Sequence, residues 1–87
     1  MRPTLIHVGN NNFVNATRIV AAMSPKSITT RRALKKASAL GLVLDYTLAL
    51  RTMGVLLMDT GILIRIPLRP MDIAGILKTL DKSSEME

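Results

Sequence analysis

The stretch that decides the fold is Met53-Gly54-Val55-Leu56-Leu57-Met58-Asp59-Thr60-Gly61-Ile62-Leu63-Ile64-Arg65-Ile66-Pro67. It contains two apolar segments, 53–58 and 62–67, separated by Asp59-Thr60-Gly61, which is typical of a tight hairpin turn. Because proline cannot donate a hydrogen bond to a neighbouring strand, Pro67 either ends the second strand or places it at a sheet edge. The stretch therefore predicts a β-hairpin.

The residues before this hairpin predict an amphipathic helix and then a strand at 42–46. Ser27 or Thr29 can cap the start of the helix, and Gly41 suits the left-handed residue that ends it. Spacings of three, four and seven residues place the apolar side chains on one face and the basic side chains on the other. The apolar face holds Ala33, Leu34, Ala37 and Leu40, and the basic face holds Arg31, Arg32, Lys35 and Lys36.

Both ends of the chain also follow readable patterns. Residues 4–8 predict a strand that stops at the turn 9–12, and residues 13–23 predict a second strand with Arg18 near its middle. A closing helix begins at Pro70, which suits the first turn of a helix. Its apolar stripe consists of Ile73, Ile76, Leu77 and Leu80. Residues 81–87 are polar and predict a frayed tail.

The resulting order, β-β-α-β-β-β-α, predicts a small single α+β domain over residues 1–80. A chain of 87 residues has a small core, and without cysteine no disulfide can reinforce it. Because 48% of the residues are hydrophobic and the mean hydropathy is +0.30, we expect some apolar surface to face another copy of the chain.

Charge is distributed unevenly along the chain. The formal net charge is +6, and residues 1–70 contain ten Lys and Arg against only Asp45 and Asp59. This part should attract polyanions. On the helix, four basic residues repel one another with no acidic residue nearby, and a bound polyanion would relieve that repulsion. A solvated basic surface without a nucleic-acid partner is the alternative.

The residues that would support catalysis are scarce. His7 is the only histidine and there is no cysteine, so no transition-metal cluster is expected. Asp59 suits its turn, and Asp45 suits a hydrogen bond or an ion pair with an arginine such as Arg51. No glycine-rich phosphate loop occurs. These observations predict a non-catalytic protein without a cofactor, a metal or a small-molecule substrate. No apolar run could span a membrane and no signal peptide opens the chain, so we expect a cytoplasmic protein.

Several short motifs follow one another along nearly the whole chain. They are Gly9-Asn10-Asn11-Asn12-Phe13-Val14, Ala16-Thr17-Arg18-Ile19-Val20, Ser24-Pro25-Lys26-Ser27, Arg32, Ala37, Gly41-Leu42-Val43-Leu44-Asp45-Tyr46-Thr47, Arg51-Thr52, segment 55–59 and Arg69-Pro70-Met71-Asp72-Ile73-Ala74. In this order and spacing they resemble the family of the bacterial extracellular matrix regulatory protein RemA. The resemblance implies a ring-shaped homo-oligomer of LytTR-related subunits that wraps DNA and activates biofilm matrix genes.

The resemblance also assigns roles to particular residues. It implies DNA contacts at Arg18 and Arg51, and Arg32 matches a basic helix position. The chain departs from the family at Ala49-Leu50-Arg51-Thr52-Met53, where Gly-Arg-Arg-Thr-Arg is usual, and at Thr29, where proline is usual.

Three functions remain open at this point. The first is a nucleoid-associated transcription regulator that binds the duplex DNA backbone through Arg18, Arg51, Arg31, Arg32, Lys35 and Lys36, repeated around a homo-oligomer. The second is a self-assembling scaffold or partner-binding protein in which Leu48, Leu50 and Met53 form an interface. The third is binding to an anionic membrane surface. The basic helix suits such a surface, but the helix lacks the apolar face with aromatic residues that inserts into a membrane. We therefore expect no membrane partner.

Overall fold

The computed structural model describes residues 4–85, with side chains described through residue 80. The predicted α+β class is confirmed. The elements are the strands β1 (Leu5–His7), β2 (Phe13–Asn15) and β3 (Ile19–Met23), helix α1 (Ile28–Ala39), the strands β4 (Val43–Asp45), β5 (Gly54–Met58) and β6 (Leu63–Ile66), and helix α2 (Pro70–Glu85).

The predicted hairpin forms the middle of a four-stranded sheet with the order β3-β5-β6-β4. Strand β5 pairs antiparallel with β6, with Leu57 opposite Leu63, and β4 pairs parallel with β6. Gly61 in the connecting turn has φ +89°, a conformation that glycine adopts without strain. Because β6 is an inner strand that stops at Ile66, Pro67 ends the strand and does not mark a sheet edge.

The prediction of one continuous strand over residues 13–23 is wrong. Strand β2 pairs with β1 in a separate two-stranded sheet, whereas β3 pairs with β5. A 3-10 turn, Ala16–Arg18, separates them. Asn15 explains the break, because its Oδ1 accepts hydrogen bonds from the backbone N–H of Thr17 at 3.0 Å and from its hydroxyl at 2.7 Å, in competition with strand pairing. Arg18 therefore ends a turn and is not in the middle of a strand.

Helix α1 covers one face of the four-stranded sheet. Ala37 is buried with Val55 and Leu63, and Ala33 and Leu34 pack against this group. Leu40, predicted on the same apolar face, is 66% exposed. It is the residue after the helix, with φ −96° and ψ 1°, so the helical spacing no longer directs its side chain to the sheet. Of the two predicted caps, Ser27 occupies the capping position.

Helix α2 and the β1–β2 hairpin cover the opposite face. Ile73 is buried with Leu56 and Ile66, and the rest of the predicted stripe packs around this core. Val55 and Leu56, adjacent on β5, belong to the two different cores, as side-chain alternation along a strand requires. The helix continues through Glu85, and residues 86 and 87 lie outside the described part. The domain limit at residue 80 and the frayed tail stay predictions.

Candidate functional site

The outer face of α1 is a strongly charged surface of the described chain. Thr30 and Ala37 turn inward and are buried, which leaves the opposite side of the helix to solvent. All the predicted basic residues of this face are exposed, namely Arg31, Arg32, Lys35 and Lys36. The structure therefore confirms an apolar inner face and a cationic outer face on one helix.

This basic face has no acidic partner among the described side chains. The described side chains form two ion pairs, Arg18–Asp59 and Arg69–Asp72, and neither pair includes a residue of α1. Within the described part of the chain, the charges of α1 are therefore left to mobile ions from solvent. Displacing such ions is what makes a polyanion bind favourably to a basic surface.

Arg18 lies just before β3, at the end of that strand that is away from the start of α1. Its Nη1 is 3.3 Å from Oδ2 of Asp59, and the two side chains are 60% and 45% exposed. The backbone carbonyl of Arg18 also accepts a hydrogen bond from the backbone N–H of Asp59 at 2.9 Å. Asp59 thus holds Arg18 in addition to forming the turn. Exposed ion pairs contribute at most about 1 kcal/mol, so a phosphate could compete for this guanidinium.

Arg51 follows a loop with an uncommon backbone. Leu48 and Ala49 have φ +47° and +69°, a left-handed conformation that neither residue type favours. Tertiary contacts enforce it, because Asn10 Nδ2 donates hydrogen bonds to the carbonyls of Tyr46 at 3.1 Å and Thr47 at 2.9 Å. The backbone N–H of Leu50 then donates to the Thr47 carbonyl at 2.9 Å. The turn 9–12 thus fixes the loop that presents Arg51.

Arg18 and Arg51 lie at opposite ends of β5 within one subunit. Ile19, next to Arg18, pairs with Met58, whereas Met23 pairs with Val55 near the loop that carries Arg51. With a rise of roughly 3.3 Å per residue, the ends of β5 are about 13 Å apart. Arg51 lies in a groove with Lys26, two residues before α1, so the structure groups Arg51 with the start of the basic helix. It does not group Arg18 with them.

Asp45 does not pair with Arg51. Its Oδ1 accepts hydrogen bonds from the hydroxyl of Thr47 at 2.5 Å and from its backbone N–H at 2.9 Å, which confirms the predicted hydrogen-bonding role. The Thr47 hydroxyl, then its N–H, and to a smaller extent the charge of Arg65 hold the pKa of Asp45 below its ordinary value of 3.8. The charged neighbour is therefore Arg65, which lies opposite Asp45 in the β4–β6 pairing.

The groove could not be predicted from the sequence. It brings Lys26, Arg51 and Arg69 together from three distant parts of the chain, with the thioethers of Met53 and Met71 beside them. Asp72 accepts hydrogen bonds from the backbone N–H and the side chain of Arg69, and these bonds, in that order, hold its pKa below 3.8. No sequence spacing signals such a cluster, since it depends on the β3–β5 register and on where α2 begins.

Two features are absent from the described residues, a metal-ligand cluster and a membrane-spanning helix. Between residues 4 and 80, no three His, Asp or Glu side chains come together as a metal site would require. The exposed His7 packs edge-on against Phe13, with ring centroids 5.3 Å apart. Neither of the two helices is long and apolar enough to cross a membrane over the part of the chain that is described.

The family model and the individual relatives that match this chain agree with one another. A family model described as RemA-like, extracellular matrix regulatory protein A-like, matches residues 5–76. A relative from Alkaliphilus oremlandii is 36% identical over 83 residues, 95% of this chain and 89% of the relative. One from Synechococcus elongatus is 40% identical over 75 residues, 86% of each chain. One from Bacillus cereus strain AH187 is 33% identical over 85 residues, 98% of each chain. All three carry provisional names as regulatory proteins.

Proposed function

This chain belongs to the RemA-like family, and from that premise we propose that it is a regulatory protein that binds the backbone of duplex DNA. In this proposal it acts without catalysis, on the nucleoid in the cytoplasm, as a ring-shaped homo-oligomer of LytTR-like subunits. Its regulated genes are those of the biofilm matrix. Shared family membership and the regulatory names of the relatives support the general role, and the charges of the surface support the DNA ligand.

The observation that carries the proposal is the unneutralised outer face of α1. Arg31, Arg32, Lys35 and Lys36 are exposed and have no acidic partner among the described side chains. DNA presents one phosphate charge per 1.7 Å or so of duplex, so it can neutralise several such side chains at once. Backbone contacts of this kind position a protein on DNA without reading its sequence.

Assembly would explain the separation of Arg18 from Arg51. Within one subunit these arginines lie at opposite ends of β5. In a head-to-tail ring, the Arg18 end of each subunit would lie beside the Arg51 end of its neighbour, and the helix face between them would complete a continuous basic track. Repetition of a weak contact around a ring raises the overall affinity, and the curvature of the track would favour deformable DNA.

A salt titration on an assembly of known mass tests the proposal. We would determine the oligomer by native mass spectrometry and then measure binding of a labelled duplex by fluorescence anisotropy at several salt concentrations. The logarithm of affinity should fall linearly with that of salt, with a slope of about −0.9 for each phosphate neutralised. A K35Q/K36Q variant should show a shallower slope, whereas K78Q, on the exposed side of α2, should not. A flat salt response of the wild-type protein contradicts DNA binding.

A second function is favoured by a separate observation. Leu48, Leu50 and Met53 are 70%, 56% and 37% exposed in and beside the left-handed loop, where apolar side chains gain nothing from water. They would suit a scaffold whose assembly is its function, or a protein partner. An intact oligomer that does not bind duplex DNA at low salt would favour this function over DNA binding.

A further inference from the structure

The groove beside Arg51 has the size of a small-molecule site. Its volume is about 640 Å³, within the range of roughly 300–1,000 Å³ that is typical of ligand pockets. Residues from the segment after β3, the segment before β5 and the start of α2 line it. Three parts of the fold thus contribute to one concave surface that none of them could form alone.

The polar side chains of this groove can donate hydrogen bonds to an anion. Lys26 and Arg51 have neither an ion pair nor a side-chain hydrogen bond within the described part of the chain. Thr52 accepts a bond from Arg65 Nε at 3.1 Å through its hydroxyl oxygen, which leaves the hydroxyl proton free to donate. None of the lining residues carries a carboxylate. The groove therefore selects against cations and for anions.

The number of unneutralised positive charges in the groove indicates which class of anion fits it. Arg69 is neutralised by Asp72, whose two carboxylate oxygens are each 3.4 Å from a guanidinium nitrogen. Lys26 and Arg51 remain as two unneutralised positive charges. A phosphate monoester carries a charge of about −1.5 to −2 at neutral pH, whereas a carboxylate or a phosphodiester carries only one negative charge. The monoester matches the groove best.

The other walls of the groove are apolar. Pro25, Pro70 and the thioethers of Met53 and Met71 line it, and Met71 is 80% exposed. Methionine side chains adapt to irregular organic surfaces. Inorganic phosphate would leave these walls uncovered, but a phosphate attached to a sugar and a ring would cover them.

We propose that this groove binds a small phosphate monoester of about the size of a nucleoside monophosphate, as a ligand that is bound and not converted. The phosphate lies between Lys26 and Arg51, with Thr52 as a further donor, and the organic part lies against Met53 and Met71. Because Arg51 also belongs to the proposed DNA surface, this ligand would compete with DNA. That last consequence alone rests on the proposed function.

The experiment is isothermal titration calorimetry of the assembled protein, without DNA, with four probes. They are a nucleoside 5′-monophosphate, its 3′,5′-cyclic form, the unphosphorylated nucleoside, and inorganic phosphate. The monophosphate should bind most tightly and the nucleoside should not bind. Since the second pKa of a phosphate monoester is about 6, its binding should weaken between pH 7.5 and pH 5. The cyclic diester carries one charge throughout and serves as the matched ligand without that dependence.

Two variants and one control locate the site. R51Q and K26Q should each weaken monophosphate binding by about tenfold or more, as expected for a lost charge-assisted hydrogen bond. K78Q removes the same charge about two helical turns along α2 from Met71 and should change nothing. Circular dichroism would verify folding, which both variants should retain because the two side chains are exposed. The proposal is overturned if the wild type does not bind the monophosphate at millimolar concentration, or if R51Q and K26Q bind it as tightly as the wild type.

A further experiment determines whether the phosphate monoester belongs to a DNA end or to a free nucleotide. Duplexes with and without 5′-terminal phosphates would be used to displace a labelled monophosphate. Stronger displacement by the phosphorylated duplex assigns the groove to DNA ends, and equal displacement assigns it to a free nucleotide. The groove binds a phosphate monoester in either result. If the protein binds the monophosphate but does not bind DNA, the proposed phosphate site stands and the proposed DNA-binding function fails.

Discussion

The side-chain amide of Asn10 donates a hydrogen bond of 2.9 Å to the backbone carbonyl of Thr47, 37 residues further along the chain. A second bond of 3.1 Å from the same nitrogen reaches the carbonyl of Tyr46. Together they join the β1–β2 turn to the loop that leads to Arg51. Because the bonds hold this loop where Leu48 and Ala49 are left-handed, Asn10 is a positioning residue for Arg51.

Changing Asn10 to Asp should therefore destabilise the fold. Aspartate keeps the shape and the tolerance for the φ of +53° at this position, but its oxygens would face two carbonyls without a proton to donate. Each lost hydrogen bond costs about 0.5–1.5 kcal/mol, although both carbonyls keep another donor, the N–H of Leu50 for Thr47 and the amide of Asn12 for Tyr46. Chemical denaturation measures the loss. N11D is the matched control, because Asn11 has a similar φ of +61° and an exposed side chain, and its change should stay within about 0.5 kcal/mol. Equal effects would remove the special role of Asn10.

Changing Ala49 to Gly should have the opposite effect and should stabilise the fold. A left-handed φ of +69° costs an alanine about 1–2 kcal/mol, and glycine avoids this cost while losing about 0.5–1 kcal/mol of backbone entropy on folding. The variant should be more stable by up to about 1 kcal/mol in chemical denaturation. A74G, at an exposed position inside α2, should instead be less stable by about 1 kcal/mol. Destabilisation by both substitutions would show that the loop is not strained at Ala49.

The structural features that could be predicted from the sequence are those determined by residues close to one another along the chain. The β5–β6 hairpin could be read because its apolar segments and its Gly61 turn are local signals, and the same holds for the faces of α1. The left-handed Leu48 and Ala49 could not be predicted, because neither residue favours that conformation and the amide of Asn10 imposes it from a distance.

The missed features share this dependence on contacts across the fold. Residues 13–23 look continuous as a strand, but the bond between Asn15 and Thr17 outweighs strand pairing at that point. The groove combines Lys26, Arg51 and Arg69, which only the assembled sheet and α2 bring together. Among the predicted site residues, the basic face of α1 was recognisable, whereas the separation of Arg18 from Arg51 required the register of β3 on β5.

The stability of the protein should depend on Asp45 in acid. Hydrogen bonds from Thr47 lower the pKa of this carboxyl below 3.8 in the folded state. A group with a lowered pKa stabilises the fold above its unfolded pKa, and this contribution disappears as the pH falls through the folded value. The melting temperature of the wild type should therefore fall more steeply below pH 3.8 than that of D45N, which keeps an acceptor oxygen but does not titrate. Parallel curves for the two proteins would contradict this coupling.

Changing Asp59 to Asn should strengthen DNA binding if Arg18 contacts DNA. The substitution frees Arg18 from an exposed carboxylate 3.3 Å away and removes a negative charge from the surface. Because such pairs contribute about 0.2–1 kcal/mol, the gain in affinity should reach up to about fivefold per contact at low salt. Fluorescence anisotropy with a labelled duplex measures it. In the background of R18A the same substitution should give a clearly smaller gain, and an equal gain there would show that Arg18 is not the residue released.

Replacing Leu50 and Met53 with arginine separates the two proposed functions most directly. Both side chains are exposed, so the L50R/M53R variant should fold. If the surface around Arg51 faces DNA, each new arginine should add a phosphate contact, steepen the salt slope by about 0.9 and leave the oligomer mass unchanged. If it instead packs against a neighbouring subunit or a protein partner, two buried and unpaired charges would be costly, and native mass spectrometry should detect smaller particles. L5R, at another exposed apolar position on β1, controls for the general effect of adding charge. Smaller particles from L50R/M53R but not from L5R would assign this surface to assembly and exclude it from the DNA track.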